Sequence, residues 1–216
     1  MTAPVPAELL EAQERFSRPD ALDFIQGARA PRGTRRAAVL ILLGPGAAGF
    51  DLVLIEKRAD LRSHAGQIAF PGGAIESVDV DPVAAALREA NEEVGVDPAA
   101  VTVLGVLPAA HIVRSGFDVT SIVGWWGDPV ALAPVDLGEV AAVHQVPVAT
   151  LLDPANRSTW VHPRGFSGPA FVLDDLFVWG FTAYLLDGMF DLLGWTLPWD
   201  TARTTEIPLR FLSERL

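Results

Sequence analysis

The sequence predicts an α+β fold, a mixed-sheet α/β/α sandwich. Three observations lead there. Short apolar runs with strand character outnumber helical runs, and the two kinds interleave along the chain. Half of the 216 residues are apolar, enough for a full core in a chain that buries roughly 70% of its unfolded surface. No internal repeat or low-complexity stretch competes with that reading.

Pro6 to Phe16 has helical spacing, with Leu9, Leu10, Ala12 and Phe16 recurring on one side. A polar stretch follows that holds Arg29, Pro31, Arg32, Gly33, Arg35 and Arg36. It reads as a solvated linker, with phosphate contact as the alternative. From Arg36 the run RAAVLILL reads as a buried strand, and Gly44 to Gly49 as a turn into a hairpin partner, Asp51 to Lys57. Gln67 to Phe70 is a short strand that stops at Pro71-Gly72-Gly73. Pro82 to Val94 is the clearest helix. Val101 to Leu107, Phe117 to Trp126 and Val140 to Val146 are further strands, followed by a short helix at Ala149 to Leu152. Phe171 to Trp179 reads as a strand leading into a helix from Phe181 to Leu193. The expected organisation is a helix-and-linker appendage over 1–35, a main domain over 36–193 and a tail packed on it over 194–216.

Composition excludes several classes of function. Without cysteine there is no disulfide framework, thiolate metal site or thiol nucleophile. The formal net charge of −11 opposes non-specific nucleic-acid binding. An acidic enzyme can still bind a phosphorylated small molecule if a divalent ion bridges the two. Residues 1–20 show no secretory pattern, and the apolar runs are shorter than the roughly 18–20 residues of a membrane span. A cytoplasmic protein with no membrane partner is expected.

The chemistry is concentrated in Asp81 to Val96. Asp81 suits an N-cap, Pro82 the first helical position and Gly95 the C-terminal stop. Val83, Leu87, Ala90 and Val94 form an apolar stripe, which leaves Glu89, Glu92 and Glu93 on the opposite side, where the flanking Ala85 and Ala86 leave room above them. Three adjacent carboxylates repel one another, and a hard divalent ion such as Mg²⁺ or Mn²⁺ resolves the repulsion. Arg88 lies four residues before Glu92 and suits a salt bridge to it. The plain alternative is a solvated acidic face. Against that alternative stands Pro71-Gly72-Gly73 just upstream, a signal for a tight loop that lets a ligand approach the backbone.

With these residues in place, the sequence resembles the Nudix hydrolases. Arg88-Glu89-Ala90-Asn91-Glu92-Glu93-Val94-Gly95-Val96 fits the second half of their signature at every fixed position. The first half departs: counted from Gly73, Asp79 stands where Glu is usual, and eight residues rather than seven lead to Arg88. That departure, with Leu61-Arg62-Ser63-His64-Ala65-Gly66-Gln67-Ile68-Ala69-Phe70-Pro71-Gly72-Gly73 before it, is similar to the coenzyme A diphosphatase (CoA pyrophosphatase) branch. The resemblance covers about residues 36–193.

The resemblance implies the Nudix fold and hydrolysis of a phosphoanhydride in a nucleoside diphosphate derivative. For coenzyme A or acyl-CoA the products are 3′,5′-ADP and (acyl-)4′-phosphopantetheine. It implies metal ligation by Glu89, Glu92 and Glu93, with Mg²⁺ or Mn²⁺ as cofactor. Glu89, Glu92 and Glu139 are candidates for the base, with Arg88 orienting the acids. Substrate contacts are expected from Arg58, Arg62, His64, Gly72 and Gly73. For Arg58 and Arg62, gripping a 3′-phosphate competes with a surface pair to Glu56 or Asp60. Trp125, Trp126, Trp160 and Trp179 read as core packing or a homodimer interface before base stacking. Alternatives are a Nudix hydrolase of a nucleotide sugar, dinucleotide or nucleoside triphosphate, and a non-catalytic binding module.

Overall fold

A computed structural model describes residues 3–25, 29–33, 35–113, 115–128 and 130–212. Its centre is a long strand, β1 (Arg36–Gly46), in which Leu40, Ile41, Leu42 and Leu43 are all fully buried. Four consecutive apolar residues survive in a strand only when both faces are covered. Side chains alternate across the sheet. Leu40 and Leu42 meet the helix α2 (Pro82–Val94), while Ile41 and Leu43 meet α1 (Ala7–Phe16) and α4 (Gly180–Leu193). This is the expected sandwich.

The main sheet is mixed. β1 runs antiparallel to β2 (Gly49–Lys57) and to the short β4 (Gly72–Ala74), and parallel to β7 (Phe117–Trp126). β3 (Ile68–Ala69) and β8 (Val140–Pro147) pair with β2, and β5 (Val101–Val106) and β6 (Ala110–Ile112) with β7. After β8 comes α3 (Val148–Leu152).

A second, four-stranded sheet departs from expectation. Phe171 to Trp179 is not one strand: β10 (Ser167–Val172) turns at Asp174-Asp175 into β11 (Phe177–Val178). β10 also pairs with β9 (Arg157–Val161), and β9 runs parallel to β12 (Thr204–Glu206) from the C-terminal stretch. β12 is followed by a short helix, α5 (Leu209–Leu212). Arg157 on β9 is buried, pairs with Asp187 of α4 and lies over the rings of Phe171 and Trp199. A buried guanidinium needs such partners. It joins the second sheet, α4 and the C-terminal stretch.

The N-terminal helix is part of the core rather than an appendage. Leu9, Ala12 and Phe16 are buried in the larger apolar cluster. Phe16 lies so close over β5 that a Cβ on Gly105 would come within 2.6 Å of it. Arg15 donates to the carbonyls of Leu192 and Leu193 at 3.3 Å each, which satisfies free acceptors at the end of α4. The arginine-bearing stretch is docked by its backbone. Asp118 accepts from the amides of Arg32, at 2.8 Å, and Gly33, and His111 pairs with the same carboxylate at 2.7 Å. Arg35 lies 3.9 Å over the Phe117 ring. Among the described residues no helix is long and apolar enough to cross a membrane.

Phe16→Ala is expected to cost about 3–5 kcal/mol, because it empties a fully buried ring site in the main core. Urea unfolding checks this; a midpoint within error of the unmutated protein would show that α1 is peripheral.

Candidate active site

The site is built on α2. Its bounds match the sequence reading, and the caps are those expected. The Asp81 side chain accepts from the amide of Ala84 at 2.8 Å, Pro82 opens the helix, and Gly95 closes it at φ 76°. The predicted face was misplaced, however. Ala85, Ala86, Ala90 and Val94 are buried, whereas Leu87 and Val83 are only partly buried. The small alanines do not open space above the acids. They are the contact surface on which α2 approaches the sheet and the preceding loop, and Glu93 lies among them, 3% exposed.

Burying Glu93 would be unfavourable without partners. Both of its oxygens are used: Oε1 accepts from Lys57 Nζ at 2.7 Å and Oε2 from the Gly72 amide at 2.8 Å. Burial still pushes the Glu93 pKa above the usual carboxylate value. Lys57, at the end of β2, also reaches Glu139 Oε2 at 3.3 Å, just before β8. Burial works against the Lys57 charge, but the two carboxylates outweigh it and hold its pKa above that of an ordinary lysine.

Glycine is required at the loop. Gly72 has φ 151°, and a Cβ there would come within 2.4 Å of the Ala38 carbonyl. A Cβ on Gly73 would come within 2.6 Å of the Glu89 carboxyl. Glu89 and Glu93, one turn apart, thus converge on the glycine pair from the same side. Burial, then the charges of Glu93 and Glu92, push the pKa of Glu89 up against the opposing pull of Arg88.

Arg88 gathers the remaining acids. It pairs with both oxygens of Asp79 at 2.9 and 3.0 Å, and with Glu89 and Glu92 at 3.0 Å each. It also donates to the Ala74 carbonyl at 3.2 Å. Asp79 Oδ2 accepts from the Glu76 amide at 2.8 Å. Asp79 therefore clamps the loop over 74–80 to the helix, and Arg88 with the Glu76 amide holds its pKa below the usual carboxylate value. Glu92 is the most exposed of the three helix glutamates, at 55%.

Other predicted residues sit further out. Arg58 is held by Asp60 at 2.8 and 2.6 Å and by the Leu137 carbonyl at 3.0 Å, the local pair set against a phosphate grip. Arg62 is exposed in the same loop. His64 has φ 58° and pairs through Nδ1 with Gln67 at 3.0 Å, so it shapes the turn before β3. Trp125 and Trp126 are buried in the two cores on opposite faces of the main sheet, and Trp160 and Trp179 pack with Phe211. Sequence reasoning missed Lys57. A cation ending an edge of apolar residues looks like any solvated strand end, although it is the one lysine in the chain.

Among the described residues no three Asp, Glu or His side chains converge as a complete metal cage. The donor set nevertheless suits a hard ion. Glu89 and Glu93 offer two carboxylates at one place, and ions of the Mg²⁺ type take one or two carboxylates and complete their shell with water and phosphate oxygens.

The family model and the sequence relatives agree with the geometry. The NUDIX domain family model matches residues 33–164. A relative from Cronobacter sakazakii, called uncharacterized Nudix hydrolase NudL, is 40% identical over 174 residues, 74% of this chain and 84% of its own. The protein of the same name from Salmonella paratyphi B is 42% identical over 165 residues, 70% of this chain and 79% of its own. Among solved structures, a MutT protein from Methanosarcina mazei is 16% identical with a TM-score of 0.48, covering 73% of this chain and 92% of that one.

Asp79→Asn keeps the shape of the clamp and removes its charge. Because the folded-state pKa of Asp79 is lowered, its contribution is present above the unfolded value of about 3.9 and lost as pH falls through the folded value. The variant is expected to melt below the unmutated protein at neutral pH, with the gap closing below about pH 4. A gap independent of pH would remove the charge from the explanation.

Proposed function

The chain belongs to the Nudix hydrolase family, and on that premise we propose that it hydrolyses the diphosphate bond of coenzyme A or an acyl-CoA. The products are 3′,5′-ADP and (acyl-)4′-phosphopantetheine. Nudix hydrolases generally use divalent metals, and Mg²⁺ or Mn²⁺ is proposed here. The observation that carries the chemistry is the convergence of Glu89 and Glu93 on Gly72-Gly73. The observation that supports coenzyme A is the segment Leu61 to Gly73, which leads into that same loop.

Glu89, Glu92 and Glu93 would hold the ion, Glu89 and Glu93 against the loop and Glu92 from the solvent side. When bound, the ion supplies neutralisation of the diphosphate and acidification of a water. Glu139 enters from the start of β8 and accepts the proton as the water oxygen attacks phosphorus. The bridging P–O bond breaks and its electrons leave with the departing phosphate. Arg88 touches no substrate in this scheme; it positions Glu89 and Glu92. Gly72 and Gly73, which keep the loop backbone close to Glu89 and Glu93, would meet the phosphates beside those acids, and His64 shapes the approach. With Arg58 engaged by Asp60, Arg62 is the arginine proposed for the 3′-phosphate.

Activity on coenzyme A with Mg²⁺ or Mn²⁺, resolved by chromatography, tests this reading. A chelator should abolish turnover and added metal restore it; full turnover in excess chelator would sink the metal role. Dephospho-coenzyme A, which lacks the 3′-phosphate, should be poorer by about ten- to a hundredfold in kcat/KM, the worth of a charge-assisted pair. Arg62→Ala should shrink that gap. A preference for ADP-ribose, a dinucleotide or a nucleoside triphosphate would move the substrate elsewhere in the family. Glu93→Gln should lower kcat by on the order of a hundredfold or more. It should also lower the melting temperature without metal, since Lys57 loses the nearer of its two charged partners.

A further inference from the structure

Lys57 has no part in the scheme above, yet it sits inside the acidic site. Its ammonium is 2.7 Å from Glu93 and 3.3 Å from Glu139, and its side chain is 14% exposed. Lys57 holds one Glu93 oxygen and the Gly72 amide the other, so a metal ion would compete with or share one of these partners. A divalent cation entering here meets a positive charge at close range in a poorly solvated place, where repulsion is weakly screened.

We propose that Lys57 is the internal counter-ion of this site. It pairs with Glu93 and Glu139 before any metal arrives, offsetting part of their charge, and it weakens binding of a divalent ion on its own. A diphosphate brings its own negative charge, which offsets Lys57 and the ion together. Metal therefore binds tightly with substrate and weakly without it, and Lys57 acts as a positioning residue through Glu93. This inference rests on the metal-dependent reading of the site.

Mn²⁺ binding, followed by electron paramagnetic resonance of the free ion, tests it with a readout other than activity, the samples with coenzyme A being read before it is consumed. Lys57→Gln should bind Mn²⁺ about tenfold or more tightly than the unmutated protein when no nucleotide is present, and Lys57→Arg should stay close to unmutated affinity. Coenzyme A should tighten Mn²⁺ binding much less in Lys57→Gln than in the unmutated protein. Equal or weaker binding by Lys57→Gln would overturn the proposal and leave Lys57 as a purely structural partner. Failure of the unmutated protein to bind Mn²⁺ even with coenzyme A would instead overturn the metal reading on which it rests.

A second measurement covers the case in which Lys57→Gln does not fold. Lys57 is the chain's one lysine, so its acetylation by acetic anhydride can be read by mass spectrometry on the unmutated protein. Saturating Mn²⁺ should raise the modification rate several-fold as the ion competes for Glu93. An unchanged or slower rate would contradict the competition.

Discussion

A buried carboxylate that must be satisfied organises this site. Glu93 lies within the packed side of α2, where an unpartnered charge would be too unfavourable to keep. Its partners come from two other places in the chain: the Gly72 amide at the start of β4 and the Lys57 ammonium at the end of β2. Meeting that one demand fixes the helix, the glycine loop and the neighbouring strand relative to each other. The glycine loop can approach only because Gly72 carries no side chain against the Ala38 carbonyl.

A second tie completes the frame. Arg88 and Asp79 join the far end of the loop to the middle of the helix, with Asp79 also closing its own turn through the Glu76 amide. The helix thus holds the loop at two points, and Glu89 lies between them. Two cations offset part of the repulsion among the acids: Arg88 pairs with Asp79, Glu89 and Glu92, and Lys57 with Glu93 and Glu139.

Much of this was legible in the sequence. The capping residues and glycine stop gave α2 its bounds, and the apolar run from Arg36 announced a strand covered on both faces. The helix face was misread because large apolar residues were weighted over alanines. Ala85, Ala86 and Ala90 permit a close approach, and close approach is what buries Glu93. The second sheet was illegible for another reason. β9 carries Arg157 and Ser158, whose burial depends on Asp187 of α4 and on pairing with β12, both distant in sequence. The Asp174-Asp175 turn inside Phe171 to Trp179 was a local signal that a single strand should not contain. Lys57 gave no local signal, because its partners lie 36 and 82 residues away.

The central claim is that Glu89, Glu93 and the glycine pair form one place that accepts a divalent ion. Paramagnetic broadening tests it most directly. With Mn²⁺ added below one equivalent to ¹⁵N-labelled protein in the presence of coenzyme A, the amide signals of Gly72, Gly73, Glu89 and Glu93 should disappear first. Broadening centred on another acidic place, such as the Asp174-Asp175 turn, or spread evenly over the surface, would contradict the account.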